Sequence, residues 1–196
     1  YSYENRYIFN ANIRSDGSNK FGTNPKYRFL PVWSVSGRWN VNEEQFMKNV
    51  EWVDYLALRA SYGVQGNIGD NSSPDLIIQL QGRQDLTQLR YATLKQLPNP
   101  DLRWEKTKSV NVGLEFGLGG RFSATLEYYN KRSEDLLMNK EVSMATGRNY
   151  LTINSGIMEN KGFEGAISVD IVKHNGLQWT FRANAAHNEN KIIKSQ

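Results

Sequence analysis

The chain has 196 residues and no cysteine, which excludes disulfides, thiol catalysis and cysteine-based metal sites. Its 24 basic and 20 acidic residues are interspersed, and the net charge of +4 argues against a nucleic-acid partner. The longest apolar runs span a few residues, far short of the roughly 20 that a membrane-spanning helix needs. The mean hydropathy of -0.63 does not exclude a membrane barrel, because a barrel strand turns only every second side chain towards lipid.

Apolar and polar residues alternate with a period of two along much of the chain, which predicts β-strands with one apolar and one polar face. In the second such segment, for example, Trp33 and Val35 alternate with Ser34 and Ser36. The seven segments with this pattern are residues 7–14, 29–40, 56–64, 110–116, 122–128, 163–171 and 178–185. We therefore expect an all-β, antiparallel fold.

The connections between these strands differ in length at the two ends of the sheet. Residues 117–120 and 173–176 form short turns, and residues 42–54 hold one or two helical turns with Phe46, Val50 and Val53 at helical spacing. Residues 65–101 and 132–160 are long connections at the other end. This asymmetry is typical of outer-membrane barrels, and a compact soluble domain rarely carries such long loops. We predict a transmembrane β-barrel segment that other strands must complete.

One alternative fits the same alternation. A soluble β-sandwich, such as a carbohydrate-binding module, would also have strands with one apolar face. That alternative predicts Trp33 and Phe181 buried in a core between two sheets. A β-rich hydrolase is a weaker alternative, since no nucleophile–base set or phosphate loop has a recognisable context. We therefore expect no enzymatic activity, no cofactor and no metal site.

Short motifs lie at the junctions between strands and loops, and their order and spacing are specific. They resemble the C-terminal barrel of SusC/RagA-type TonB-dependent transporters of Bacteroidetes, over residues 1–196. The motifs are Arg14-Ser15-Asp16-Gly17-Ser18, Pro31-Val32-Trp33, Leu58-Arg59-Ala60-Ser61-Tyr62-Gly63, Asn99-Pro100-Asp101-Leu102-Arg103-Trp104-Glu105, Asn154-Ser155-Gly156 and Asn160-Lys161-Gly162-Phe163-Glu164.

This resemblance implies a large barrel of the 22-stranded kind with a plug inside its lumen. It also implies an outer-membrane location, energy supplied by TonB through an N-terminal motif, and a SusD-like surface lipoprotein that acts as a lid. Substrates of the family are oligosaccharides or peptides. The chain starts at Tyr1 without a leader-like stretch and stops at Gln196 after a strand pattern. We expect the plug domain and the TonB-contacting segment to lie outside it.

Two groups of residues are candidates for functional positions. Charged residues that share the inward parity are expected to face the lumen, because a charge facing lipid costs about 2–4 kcal/mol. These residues are Arg14, Arg38, Arg59, Glu115, Glu127, Glu164 and Arg182. Loop residues with hydrogen-bonding and aromatic groups are candidates for substrate binding. They are Arg83, Gln84, Asp85, Arg90, Tyr91, Arg148, Asn149 and Tyr150.

Four tryptophans have the outward parity and lie near the ends of the expected strands. We expect Trp33, Trp39, Trp104 and Trp179 to lie at the headgroup boundary, where amphipathic aromatic rings are favoured. Stacking on sugars in the lumen is the alternative for these rings, and their outward parity argues against it.

Overall fold

The computed structural model describes residues 1–21, 25–69, 73–174 and 176–195. Most of them lie in an eight-stranded antiparallel sheet, with a separate two-stranded hairpin. The sheet contains, in spatial order, β1 (Ser2–Tyr3), β2 (Tyr7–Gly17), β3 (Phe29–Asn40), β4 (Val53–Asn67), β7 (Glu105–Leu118), β8 (Phe122–Glu141), β9 (Tyr150–His174) and β10 (Leu177–Lys194). The hairpin consists of β5 (Ile77–Arg83) and β6 (Arg90–Gln96). The all-β antiparallel fold is confirmed, and the sheet does not close into a barrel within this chain.

Among the described residues, helical structure is limited to short pieces. One helical turn, Pro25–Arg28, precedes β3, and 3-10 turns cover Val41–Glu43, Gln45–Met47 and Met144–Thr146. The helical turns expected over residues 42–54 are thus 3-10 turns, and Val53 already begins β4. In the described part of the chain, no helix has the length and apolar character needed to span a membrane.

The strands at one end of the sheet are much longer than the sequence indicated. The expectation of a long loop over residues 132–160 is wrong, because β8 runs to Glu141 and β9 starts at Tyr150. The expected loop over residues 65–101 contains the hairpin β5–β6. The asymmetry nevertheless remains. Short turns join β7 to β8 and β9 to β10 at what we call the short-turn end, where the β3–β4 connection also lies. The β2–β3, β4–β7 and β8–β9 connections lie at the opposite end, which we call the loop end. Asn175 of the second turn lies outside the described residues.

The sheet has an apolar face and a polar face, because paired residues of antiparallel strands point to the same side. The apolar face is open rather than packed: Phe9 is 52% exposed, Phe163 63% and Phe181 49%. No second sheet packs on that face among the described residues. The β-sandwich alternative, which required Trp33 and Phe181 in a buried core, is wrong.

The apolar face ends at different positions on different strands. On β4 it continues to Val64, whose row in the sheet passes through Lys108 and Arg132 to Lys191 on β10. On the same face of β10 the continuous run of apolar residues stops at Ala185, before His187 and Glu189. From β4 to β10, a distance of about 20 Å across the sheet, the end of the apolar face therefore moves by about 20 Å along the strand direction. If this boundary follows the flat surface of the apolar layer of a membrane, the strands are tilted by about 45° from the membrane normal. This tilt is close to that of membrane barrels.

Aromatic pairs mark both borders of the apolar face. Towards the loop end, the ring centroids of Tyr128 and Phe163 lie 4.7 Å apart, and those of Trp33 and Tyr62 lie 5.3 Å apart. Towards the short-turn end, Tyr7 stacks on Trp39 at 6.4 Å and Phe116 lies 5.8 Å from Phe122. Two aromatic borders around an apolar band are the pattern of a membrane barrel wall.

Candidate functional site: the polar face and the loop end

An ion-pair ladder crosses the middle of the polar face. Arg38 on β3 contacts Glu115 on β7 at 2.9 Å, and Arg59 on β4 contacts the other oxygen of Glu115 at 3.5 Å. Arg59 also donates to Glu127 on β8. The four side chains are partly exposed, and they connect four neighbouring strands. The structure thus brings together four of the seven charged residues expected to face the lumen.

Gly113 on β7 makes this ladder possible. Arg59, Gly113 and Glu127 lie in one row of the sheet, on three successive strands. The Arg59 side chain crosses over Gly113 to reach Glu127, and a Cβ at Gly113 would lie 2.5 Å from Arg59 Nε. The alternation over residues 110–116 puts Gly113 on the polar face, but nothing in the sequence indicates that an arginine from the neighbouring strand lies on it.

The other three expected lumen residues do not join the ladder. Arg14 forms an ion pair with Asp16 of its own strand at 3.1 Å. Glu164 lies directly across from Glu127, and Arg182 lies across from Ser168. Among the described residues, Glu164 and Arg182 have no ion pair, so both carry charges available to groups outside this chain. All seven residues share the polar face, and their lumen-facing role stays a prediction.

A polar clamp fixes the loop end. Arg103 contacts Asp135 at 2.6 Å, and this hydrogen bond raises the pKa of the Arg103 guanidinium. The Asn154 side chain accepts a hydrogen bond from the Arg103 backbone N–H at 2.9 Å and donates to the carbonyls of Arg103 and Asp135 at 2.8 and 2.7 Å. Asp135 lies at a bulge of β8 with φ of 59°, a conformation that Asp tolerates better than most residues. Arg103 and Asn154 each lie in a motif that stands out in the sequence, but the sequence does not indicate that the two residues are in contact.

An apolar cluster lies beside this clamp. Leu102 and Trp104 pack with Phe21, Leu30 and Val32, and the Phe21 and Trp104 rings lie 5.3 Å apart. Trp104 is only 6% exposed. The expectation that Trp104 lies at the headgroup boundary is therefore wrong. Leu30 and Val32 pair with residues of the polar face, and the segment before β7 folds over them with its tryptophan inwards.

A second polar cluster lies at the short-turn end. The Glu44 carboxylate accepts hydrogen bonds from the Tyr7 hydroxyl at 2.6 Å and from Trp39 Nε1 at 3.0 Å. The hydrogen bond from Tyr7 is the main reason why the pKa of Glu44 is lowered, followed by the hydrogen bond from Trp39. The cluster ties the turn after β3 to β2 and β3.

The loop candidates for substrate binding fall into two groups. Arg83, Gln84, Asp85, Arg90 and Tyr91 lie at the tip of the β5–β6 hairpin, and all five are exposed. Arg148, Asn149 and Tyr150 lie at the start of β9.

Arg148 joins the β8–β9 connection to the hairpin. Its guanidinium donates to the Lys95 carbonyl and to the Tyr150 hydroxyl, each at 2.7 Å, and lies 4.9 Å from the Tyr150 ring centre. Arg148 therefore has a positioning contact within the protein, whereas the hairpin tip is open to a ligand.

The described residues contain no group of three or more His, Cys, Asp or Glu side chains that could hold a metal ion. The site is therefore described by its ion pairs, amide hydrogen bonds and exposed loop groups. Such groups can bind a polar ligand.

Comparison with known proteins agrees with this architecture. Residues 1–192 match the family model described as TonB dependent receptor-like, beta-barrel. TonB-dependent receptor P26 of Formosa agariphila is 35% identical over 98% of this chain, and SusC of Bacteroides thetaiotaomicron is 33% identical over 99%. The chain spans about a fifth of the length of these curated relatives, 20% of each.

Solved structures show the same fold. The RagAB peptide importer in its closed-closed state superposes with a TM-score of 0.85 at 24% identity, covering 98% of this chain and 21% of that one. The siderophore receptor PirA of Pseudomonas aeruginosa matches more distantly, with a TM-score of 0.59 at 15% identity over 96% of this chain and 32% of that one. The solved structures confirm the barrel fold, and the family model and curated relatives confirm the resemblance to the SusC/RagA type and the outer-membrane location.

Proposed function

The chain belongs to the TonB-dependent receptor β-barrel family, and from that premise we propose that it forms part of the wall of a SusC-like nutrient importer. The observation that carries this proposal is the two-faced sheet. Its apolar face is exposed between two aromatic borders, whereas its polar face holds the ion-pair ladder from Arg38 to Glu127. A wall with lipid on one side and water on the other needs this arrangement.

We propose a 22-stranded barrel with a plug domain in its lumen, opened by TonB acting on a segment near the N-terminus. Glu164 and Arg182, which lack ion pairs among the described residues, would then face the plug. A barrel of that size needs a plugged lumen to remain impermeable.

We further propose that a SusD-like lipoprotein covers the loop end and that the substrate is an oligosaccharide or a peptide. The similarity to SusC and to the peptide importer RagAB supports both. The exposed hairpin tip from Arg83 to Tyr91 provides charged, amide and aromatic groups for a polar ligand. We infer transport and not catalysis, because the curated relatives are receptors.

Uptake by the full-length importer tests this proposal. A strain with the gene deleted would be complemented with the wild type or with Arg83→Ala/Gln84→Ala/Asp85→Ala, and supplied with labelled oligosaccharides or labelled peptides. The expected result is uptake of one substrate class that requires TonB and falls in the hairpin variant.

The control is Lys48→Ala/Glu51→Ala, which removes exposed charges at the short-turn end. Uptake that persists without TonB would contradict the importer assignment. An equal decrease in the two variants would contradict the role of the hairpin, and it would leave the importer assignment standing.

A further inference from the structure

A row of basic side chains borders the apolar face on strands β7 to β10. Rows in the sheet are set by the strand register, and the last mainly apolar row contains Val112, Tyr128 and Phe163. The next three rows towards the loop end, on the same face, contain cations. The basic row, as we call it, consists of Lys106, Lys108, Arg132, Lys161 and Lys191.

The basic row carries more positive charge than its acidic neighbours neutralise. Three acidic residues share its face: Glu134, Glu159 and Glu189. Glu134 is shared by Lys108 at 2.7 Å and Arg132 at 3.0 Å, so one carboxylate serves two cations. Lys161 is paired with Glu189 at 3.2 Å.

Two members of the basic row are free to bind other groups. Among the described residues, neither Lys106 nor Lys191 forms an ion pair. Lys191 is exposed at the loop end of β10, and Lys106 is half-buried near the start of β7. By its place in the strand register, Lys191 therefore keeps its charge on the apolar face.

The position of the basic row determines which part of the membrane it contacts. The basic row lies on the same face as Phe163 and Leu126, which are 63% and 48% exposed. The same strands continue from this apolar region into the basic row. In a barrel wall, groups immediately beyond the aromatic border lie at the height of the lipid headgroups. Long Lys and Arg side chains reach such headgroups while their alkyl stems cover apolar surface.

We propose that the basic row binds the phosphate groups of outer-leaflet glycolipids. A cation beside an anionic membrane surface gains attraction with each added charge, and basic clusters next to a spanning segment recognise anionic headgroups. The shared carboxylate of Glu134 holds Lys108 and Arg132 together, so that two cations meet one phosphate. A free phosphate ion would lack the acyl chains that contact the adjoining apolar face.

Binding of lipid A to the full-length protein in neutral detergent tests this proposal. The wild type would be compared with Lys106→Gln/Arg132→Gln/Lys191→Gln, using lipid A with its phosphates and lipid A after enzymatic dephosphorylation. We expect phosphorylated lipid A to bind the triple variant at least about tenfold more weakly than the wild type. Binding to the wild type should weaken in high salt, and inorganic phosphate should not displace the lipid.

Neighbouring residues of β8 provide a matched control. Arg132→Gln and Lys131→Gln each remove one cation from adjacent positions, but Lys131 has the parity of the polar face and lies 5.3 Å from the Tyr129 ring centre. Only Arg132→Gln should weaken lipid binding, and the unfolding temperature of each variant reports whether it is folded. Equal binding of phosphorylated and dephosphorylated lipid A, or equal effects of the two single variants, would overturn the proposal.

Discussion

Replacing Gly113 by alanine should break the ion-pair ladder without removing any charge. A Cβ at this position would lie 2.5 Å from Arg59 Nε and 2.9 Å from Arg59 Cγ, whereas carbon atoms in contact prefer about 3.5–4.0 Å. Arg59 would have to lift by about 1 Å, which separates it from Glu127 and Glu115. Glu127 would then lie across from Glu164 without a cation between them.

The expected magnitude follows from three contributions. Each partly exposed ion pair of Arg59 contributes up to about 1 kcal/mol, and uncompensated like charges on facing strand positions cost a few tenths to about 1 kcal/mol. Alanine itself is favoured over glycine in a strand by roughly 0.5–1 kcal/mol. We therefore expect Gly113→Ala to destabilise the protein by about 1 kcal/mol when Arg59 is present. In an Arg59→Ala background, the same change should be neutral or slightly stabilising.

Unfolding of the full-length protein in detergent, at one scan rate, would measure this double-mutant cycle. Gly37→Ala is the control, because a Cβ at Gly37 meets nothing within 4 Å. The reasoning is refuted if Gly113→Ala lowers the unfolding temperature equally with and without Arg59, or has no effect when Arg59 is present.

Three further predictions concern the ends of the sheet. Trp104→Ala should destabilise the protein by about 3–5 kcal/mol, and Trp179→Ala, at a site 59% exposed, should cost much less in detergent unfolding. Glu44→Gln should remove stability at neutral pH. In the wild type, the contribution of the Glu44 carboxylate to the free energy of unfolding should be complete above its unfolded-state pKa. It should be lost as the pH falls through its lowered folded-state pKa. Acid titration of unfolding in both proteins would measure this difference. Arg148→Ala should increase hydrogen exchange in β6, where it now holds the Lys95 carbonyl, and leave exchange at Tyr7 unchanged.

The polar clamp at the loop end could not be predicted from the sequence of any single strand. The Asn99–Glu105 and Asn154–Gly156 motifs stand out in the sequence, but nothing local indicates that Asn154 binds Arg103, 51 residues away. The pairing exists because β8 and β9 extend past the membrane band and carry Asp135 and Asn154 to the same height. Beyond the lipid, an extension has no need of a continuous apolar face, so the alternation that identified the other strands is weaker there.

The sequence by itself determined the strands within the membrane band, the two faces of the sheet, the short turns and the family. Those features depend on local properties: an alternation of two, turn-forming glycines and motifs with fixed spacing. Only the tertiary structure decided that Arg59 crosses Gly113, that Trp104 is buried, and that cations lie beyond Tyr128 and Phe163 on the apolar face. Each of these depends on the register between strands, which neighbouring residues in the chain do not encode.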